Sequence, residues 1–173
     1  AYQCLVERRR GAETGVASVQ CLQGDAMWQV LDDGTVPREL FDAAYGLVGN
    51  QSADPRSSAD PETALFLFQY VDGFQGAVFM LPGVAERTAV ALQIKGQAAP
   101  LVTGFEERQE GRHPHFAYLL KGIERMIYSG KPSYPVERTL LNSGILDRAL
   151  TSRYEQGRKL ETPELAIAYT PVD

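Results

Sequence analysis

The sequence of 173 residues is poor in the side chains that identify a chemistry: it holds two cysteines, two histidines and one tryptophan. Cys4 and Cys21 match no metal-ligand spacing, and two cysteines do not make a disulfide-stapled secreted domain, although the sequence alone leaves a disulfide between them open. We interpret both as small core residues in a reducing compartment. Cytoplasmic localisation is therefore the expectation.

Long hydrophobic runs and an excess of basic charge are also missing. No apolar stretch reaches the roughly 20 residues that span a bilayer, and the N-terminus lacks the basic-then-apolar plan of a signal peptide. The formal net charge is -5, whereas proteins that bind nucleic acid usually carry a basic face. The basic cluster at residues 8–10 is better explained as the C-terminal end of a helix. We expect neither a membrane nor a nucleic acid as partner.

Motifs of the common enzyme classes are absent as well. The sequence has no G-x-G-x-x-G after a strand, no phosphate-binding G-x-x-x-x-G-K-[ST], no G-x-S-x-G and no H-E-x-x-H. Adjacent carboxylates such as Glu106 and Glu107 do not share a face, so we interpret them as solvated charge rather than as an acid-base pair. Trp28 is interpreted as an anchor of the core or of an interface. No catalytic, cofactor-binding or metal residue is assigned.

The two histidines form the most suggestive polar pattern. His113 and His115 bracket Pro114 just before a predicted helix. Alternate residues of an extended segment point to the same side, so both imidazoles could bind one ligand or one metal. We name His113 and His115 as candidate substrate-binding residues. A metal-dependent or histidine-dependent enzyme centred on them stays an alternative, although a metal site needs more ligands and none is nearby in the sequence.

What the sequence does contain is a clear order of helix and strand patterns in its first half. A helix ends near Gly11, because arginines fill its last turn and glycine tolerates the left-handed conformation. Residues 16–34 alternate and predict two strands that turn at Gly24 and Asp25. Residues 35–49 predict a short helix capped by Thr35, and the Ser, Asp and Pro content of residues 50–63 predicts a surface loop.

The second half begins with hairpins and then changes to helical periodicity. Asp72-Gly73 splits two apolar runs at 64–81, and Lys95-Gly96 lies near the turn of a second hairpin at 87–105. Apolar residues at helical spacing over 116–127 predict a helix that ends at Gly130. A last helix ends at Gly157, followed by a short strand at 164–169. The residues of this last helix that are predicted to point inward are Val136, Leu140, Leu146, Ala149 and Leu150.

This order predicts an α+β fold in one domain over residues 1–173: a mostly antiparallel open sheet of about six strands with helices packed on one face. Consecutive hairpins without intervening helices cannot form a parallel sheet. The hairpin at 64–81 looks apolar on both faces. If helices cover one face, the other needs a partner, and we therefore expect homo-oligomerisation through the sheet face.

The last third of the chain resembles the closing helix pair of the glucose-fructose oxidoreductase and inositol dehydrogenase (Gfo/Idh/MocA) family. The matching residues are a Gly-x-Pro-like turn at residues 130–132 and an Ala-x-x-Ser-x-x-x-x-Gly pattern at Ala149, Ser152 and Gly157. The two hairpins resemble that family's C-terminal sheet. Residues 1–22 resemble the helix and first strand at the junction with its nucleotide-binding half.

The resemblance implies that the chain is the C-terminal half of a longer oxidoreductase. An N-terminal Rossmann domain, missing here, would bind NAD or NADP and supply the catalytic residues, and none of these can be placed on a position of this sequence. This half would line the pocket for a sugar, polyol or related hydroxy compound and would be inactive by itself. A complete, non-enzymatic binding or assembly module is the alternative. An exposed apolar sheet face and self-association would distinguish the fragment.

Overall fold

The computed structural model describes residues 2–49, 54–85, 87–105 and 115–172. The α+β fold is confirmed in these residues. The helices are α1 (Tyr2–Val6), α2 (Asp25–Asp32), α3 (Arg38–Val48), α4 (His115–Ser129) and α5 (Val136–Tyr154). The strands are β1 (Val16–Leu22), β2 (Ala64–Tyr70), β3 (Gln75–Met80), β4 (Thr88–Leu92), β5 (Leu101–Phe105) and β6 (Leu160–Glu161). Short 3-10 helices lie at Pro55–Ser57 and Pro163–Leu165.

The strands of the described residues form two antiparallel sheets rather than one sheet of six. Four strands are ordered β3-β2-β1-β6, and β4 pairs with β5 separately. Both predicted hairpins are confirmed, with Gly73 and Gly96 at positive φ. The β4–β5 hairpin packs on α3 and does not extend the larger sheet. Its separation corrects the predicted six-stranded sheet.

Helices cover both faces of the larger sheet, which corrects the prediction of helices on one face. Leu65 and Leu67 of β2 pack into a core with Trp28 of α2 and Phe41 of α3. Phe68 and Tyr70, on the opposite face of β2, pack with α1 and α5. The apolar excess of this hairpin is thus satisfied within the chain. Self-association through that face therefore lacks the exposed surface on which the expectation depended.

The boundaries of several elements differ from their predictions. Residues 25–32 form α2 instead of a second strand, because Gly24 turns the chain with a φ of 57° and Met27, Trp28, Val30 and Leu31 all bury from one helical face. Thr35 caps nothing, since α3 begins at Arg38 after Pro37. The predicted strand at 164–169 is a 3-10 helix followed by a single bridge between Tyr169 and Glu13.

The junction of α5 with β1 explains the Ala-x-x-Ser-x-x-x-x-Gly pattern by packing. Ala149 and Ser152 are buried. The Ser152 hydroxyl accepts from the Cys21 amide at 2.9 Å and donates to the Arg158 carbonyl at 2.6 Å. Gly157 has a φ of 90°, and a side chain there would press on the Cys21 carbonyl. These positions therefore allow the helix to lie close to the central strand.

The outward face of α5 is more apolar than the sequence analysis predicted. Of the five residues expected to point inward, only Ala149 is buried. The others are 51% to 75% exposed: Val136, Leu140, Leu146 and Leu150. Leu141 and Ser152 are the helix's other buried residues. This correction shifts the apolar stripe of α5 to the molecular surface.

Both cysteines are free thiols; Cys21 is buried as predicted, whereas Cys4 is exposed. None of the helices in the described ranges is long and apolar enough to cross a membrane.

Candidate functional site

A polar cleft of about 320 Å³ lies between the N-terminal end of α2 and the loop that follows the 3-10 helix at Pro55–Ser57. The loop runs from Ser58 to Thr63, and β2 begins at the next residue, Ala64. Its lining combines amide, hydroxyl, carboxylate and guanidinium groups with one indole: Gln23, Asp25, Trp28, Arg56, Ser58, Asp60 and Thr63. Such a mixture of donors and acceptors suits a small polar ligand.

The core fixes the α2 wall of the cleft. The indole of Trp28 is 7% exposed and meets Phe41 edge-on, with ring centroids 6.0 Å apart. It also stacks on Phe79 of β3, 6.3 Å away. A side chain held by two aromatic neighbours presents its remaining edge in a constant position. The cleft therefore has one rigid apolar patch on its wall.

Local hydrogen bonds shape the loop wall. The Asp54 carboxylate accepts from the Arg56 amide at 2.9 Å, and the Asp60 carboxylate accepts from the Glu62 amide at 2.8 Å. The hydroxyls of Ser58 and Thr63 lie 2.7 Å apart. Asp followed by Pro, at 54–55 and again at 60–61, favours tight turns of this kind. The loop residues that line the cleft are therefore held in place by hydrogen bonds within the loop.

Two residues that are distant in the sequence, Arg153 and Gln23, anchor this loop to the rest of the molecule by hydrogen bonds. Arg153 of α5 donates to the Glu62 carboxylate at 2.9 Å and to the Pro61 carbonyl at 3.0 Å. The Gln23 side-chain amide also donates to the Pro61 carbonyl, at 3.1 Å. The bond from Arg153 lowers the pKa of Glu62 below its ordinary value. The loop thus depends on an ionised carboxylate for part of its anchoring.

The electrostatics of the cleft disfavour a phosphate. Arg56 donates to the Asp32 carboxylate at 2.6 Å, which raises the pKa of the guanidinium, and it lies 5.7 Å from the Trp28 ring centroid. This cation is therefore already paired. Asp25 and Asp60 add two carboxylates to the lining. A neutral ligand with several hydroxyl groups matches this balance better than an anion does.

The structure describes only one of the two predicted substrate-binding histidines. His113 lies outside the described residues. His115 is the first residue of α4, is exposed, and has its ring centroid 4.5 Å from that of Phe116. It does not line the cleft. Among the residues that the structure describes, no group of three or more His, Cys, Asp or Glu side chains could hold a metal ion.

A second polar constellation, which the sequence analysis missed, is buried beside α1. The fully buried Glu7 carboxylate accepts two hydrogen bonds from Arg138 of α5 and a third, at 2.7 Å, from the Tyr169 hydroxyl. Burial, and next the bond to Glu7, raise the pKa of Tyr169 to about 12. Gln3 donates to Tyr169 at 2.8 Å.

Glu13 completes this buried network. Its carboxylate accepts from the amides of Thr14 and Gly15 at 3.0 and 2.8 Å and from the side-chain amide of Gln3 at 2.5 Å. Both buried carboxylates thus have their acceptor capacity used by neighbouring groups. We interpret the network as a structural connection between the two ends of the described chain, with no group left to act on a substrate.

The cleft residues gave little signal in the sequence. Trp28 is interpreted from the sequence as an anchor of the core or of an interface, and its place in the core is confirmed. Its exposed edge at a cleft could not be inferred. Residues 50–63 are predicted only as a surface loop, which gives no sign of a binding wall. The repeated Asp-Pro pairs were the available sign that part of this loop is ordered.

Comparison with known proteins adds no relative. No protein-family model, curated protein or solved structure matches this chain.

Proposed function

We propose that this chain is the substrate-recognition and assembly half of an NAD(P)-dependent oxidoreductase that acts on a sugar, polyol or related hydroxy compound. The cleft between α2 and residues 58–63 carries the proposal. Its hydroxyl, amide and carboxylate groups would exchange hydrogen bonds with ligand hydroxyls, while the edge of Trp28 would contact the ligand's C–H surface. The Gfo/Idh/MocA resemblance supplies the reaction class.

The described residues themselves do not fit a dinucleotide cofactor. Dinucleotides bind where a parallel strand leads through a glycine-rich turn into a helix N-terminus. Here β1 is antiparallel to both of its neighbours, and although Gly24 precedes α2, Asp25 puts a carboxylate in the first turn of the helix, which would repel a pyrophosphate. We therefore assign NAD or NADP binding, and hydride transfer with it, to a separate nucleotide-binding domain that would precede this chain.

Ligand binding at the cleft is tested by calorimetric titration with myo-inositol and glucose as probes. We expect a dissociation constant of about 1 mM or weaker for at least one probe, and an increase of about fivefold or more in Asp25→Ala, since one hydrogen bond to a hydroxyl is lost. Asp42→Ala, on the exposed surface of α3, is the matched control and should bind like the parent. Equal binding by both variants, or no binding, would overturn the cleft as a site.

The stand-alone binding or assembly module is the second candidate. The larger sheet favours it, because both of its faces are covered within the chain, whereas a fragment is expected to leave one face open. The mass of the protein made from its own gene separates the two. A mass well above 19.0 kDa, with a glycine-rich N-terminal half, supports the oxidoreductase. A mass of 19.0 kDa supports the module.

A further inference from the structure

Helix α4 projects from the molecule with its apolar stripe in solvent. None of its 15 residues, all of them described, is buried. Five aliphatic side chains lie within one third of the helix circumference and are 41% to 71% exposed: Leu119, Leu120, Ile123, Met126 and Ile127. A soluble helix normally buries such a stripe against its own domain. Here the described part of the domain leaves it open.

The exposed stripe leaves α4 weakly stabilised, because an isolated helix of this length is only marginally stable in water. Isolated helices shorter than about 12 to 15 residues are barely stable, and most of the stability of a protein helix comes from packing its apolar face. Gly130 ends α4, and the Ser133 hydroxyl donates to the Gly122 carbonyl at 2.7 Å. These contacts fix the turn after the helix but cover none of the stripe.

We propose that α4 packs against α4 of a second copy of this chain in a two-fold symmetric dimer. The stripe has the spacing of a helix seam: Ile123 lies four residues after Leu119 and three before Met126, as in the a and d positions of a heptad. A two-fold interface uses the same patch on both subunits, so a straight seam of this kind is complementary to itself.

The size of the stripe agrees with this occupant. Five large aliphatic side chains at these exposures present on the order of 500 Å² of apolar surface, so two facing stripes bury on the order of 1,000 Å² together. This area lies at the lower end of specific protein interfaces, and it corresponds to a dimer in the micromolar range rather than to an obligate one.

Charge also favours a second copy over an anionic membrane. Helix α4 carries two cations, Lys121 and Arg125, and one carboxylate, Glu124. This near balance allows two copies to approach although the whole chain has a net charge of -5. Amphipathic helices that bind membranes usually carry a face rich in lysine and arginine. The stripe does not line the cleft, so the dimer is tested separately from ligand binding at the cleft.

Sedimentation equilibrium under reducing conditions, from about 1 to 200 µM, tests the dimer. We expect the mass to rise from 19.0 kDa toward twice that value with concentration. Ile123→Glu combined with Ile127→Glu should weaken association at least about tenfold, because two charges would be desolvated in the seam. Since α4 buries nothing, circular dichroism and the unfolding midpoint of the rest of the protein should be unchanged.

Tyr128→Glu is the matched control, because Tyr128 is 84% exposed on the side of α4 opposite the stripe. It should dimerise like the parent. A protein that stays at 19.0 kDa throughout, or a dimer that the double variant leaves intact, would overturn the proposal. Stripe-dependent co-sedimentation of a monomeric parent with vesicles of phosphatidylcholine and phosphatidylserine would overturn it in favour of a membrane.

Discussion

The fully buried Tyr70 and the partly buried Tyr169 both have raised pKa values, but their hydroxyls have different surroundings. Tyr169 joins Glu7 to Gln3 by two hydrogen bonds. The hydroxyl of Tyr70 faces that of Tyr2, but neither makes a hydrogen bond of ordinary geometry with the described residues. The guanidinium of Arg9 lies 4.6 Å from the centroid of the Tyr70 ring. Burial is the main cause of the raised pKa at both sites. The Tyr169 hydroxyl therefore contributes hydrogen bonds to the folded state, whereas the Tyr70 hydroxyl is buried without one.

The substitution of tyrosine by phenylalanine should have opposite outcomes at these two sites. Tyr169→Phe should lower the free energy of unfolding by about 1 to 3 kcal/mol, because Glu7 loses a donor inside the protein. Tyr70→Phe should change it by less than about 0.5 kcal/mol or stabilise the fold, because an unpaired hydroxyl is removed and the ring remains. Urea unfolding measures both. A larger loss for Tyr70→Phe than for Tyr169→Phe would contradict the interpretation.

Helix α2 shows why short elements are hard to assign from sequence. Met27, Trp28, Val30 and Leu31 fit a helix face, yet the same run follows a strand and a glycine, which is typical of a hairpin. The longer elements were predictable, because α4 and α5 repeat their pattern over several turns and the hairpins have Asp-Gly or Lys-Gly turns. The cleft could not be predicted from the sequence, because about half of the residues that line it belong to a loop, which has no periodic pattern.

Glycines inside two helices give a test of element packing. Gly46 in α3 has nothing near the position that a Cβ would take, whereas at Gly144 in α5 that position is 2.3 Å from a Cδ atom of Leu165. Gly46→Ala should stabilise the protein by about 0.5 to 1 kcal/mol, because alanine favours the helix. Gly144→Ala should destabilise it by about 1 to 2 kcal/mol, because Leu165 has to move.

Urea midpoints followed by circular dichroism measure both variants. Stabilisation by Gly144→Ala equal to that by Gly46→Ala would mean that α5 does not lie against Leu165 as described.

The apolar residues of the molecule are divided between two buried cores and the exposed faces of α4 and α5, which its composition does not reveal. The sequence correctly predicted the α+β class, but its apolar residues were assigned to one core and one open sheet face. In the structure two cores fill both faces of the sheet, while the apolar stripes of α4 and the outer side of α5 remain in solvent. Helical periodicity identifies an apolar face but not the surface that covers it, so the α5 residues were placed inward.

The free energy of unfolding should fall at acidic pH. Several carboxylates near the surface have pKa values below the ordinary range because they accept hydrogen bonds, among them Asp33 from Thr35, Glu62 from Arg153 and Glu155 from Arg158. A carboxylate with a lowered folded-state pKa contributes stability above its unfolded pKa, and this contribution disappears as the pH falls through the folded value. We expect the urea midpoint to decline below about pH 4.5.

The Glu62→Gln variant identifies the contribution of the loop. It removes the carboxylate that Arg153 holds, so the decline in acid should be shallower than in the parent. A parent midpoint that is constant from about pH 7 to pH 3 would contradict the expectation.

The position of β1 between β2 and β6 also sets an order of events during synthesis. β2, which pairs with one edge of β1, leaves the ribosome well before β6, which pairs with the other edge. β6 and the residues that bind α1 are separated from their partners by well over a hundred residues, 166 for Gln3 and Tyr169. At about 5 to 20 residues per second, this interval lasts on the order of ten seconds or more. During that time β1 offers a bare strand edge to any neighbouring nascent chain. Aggregation is therefore a greater hazard for the half-made protein than for the finished one, and slower translation of the second half would increase it.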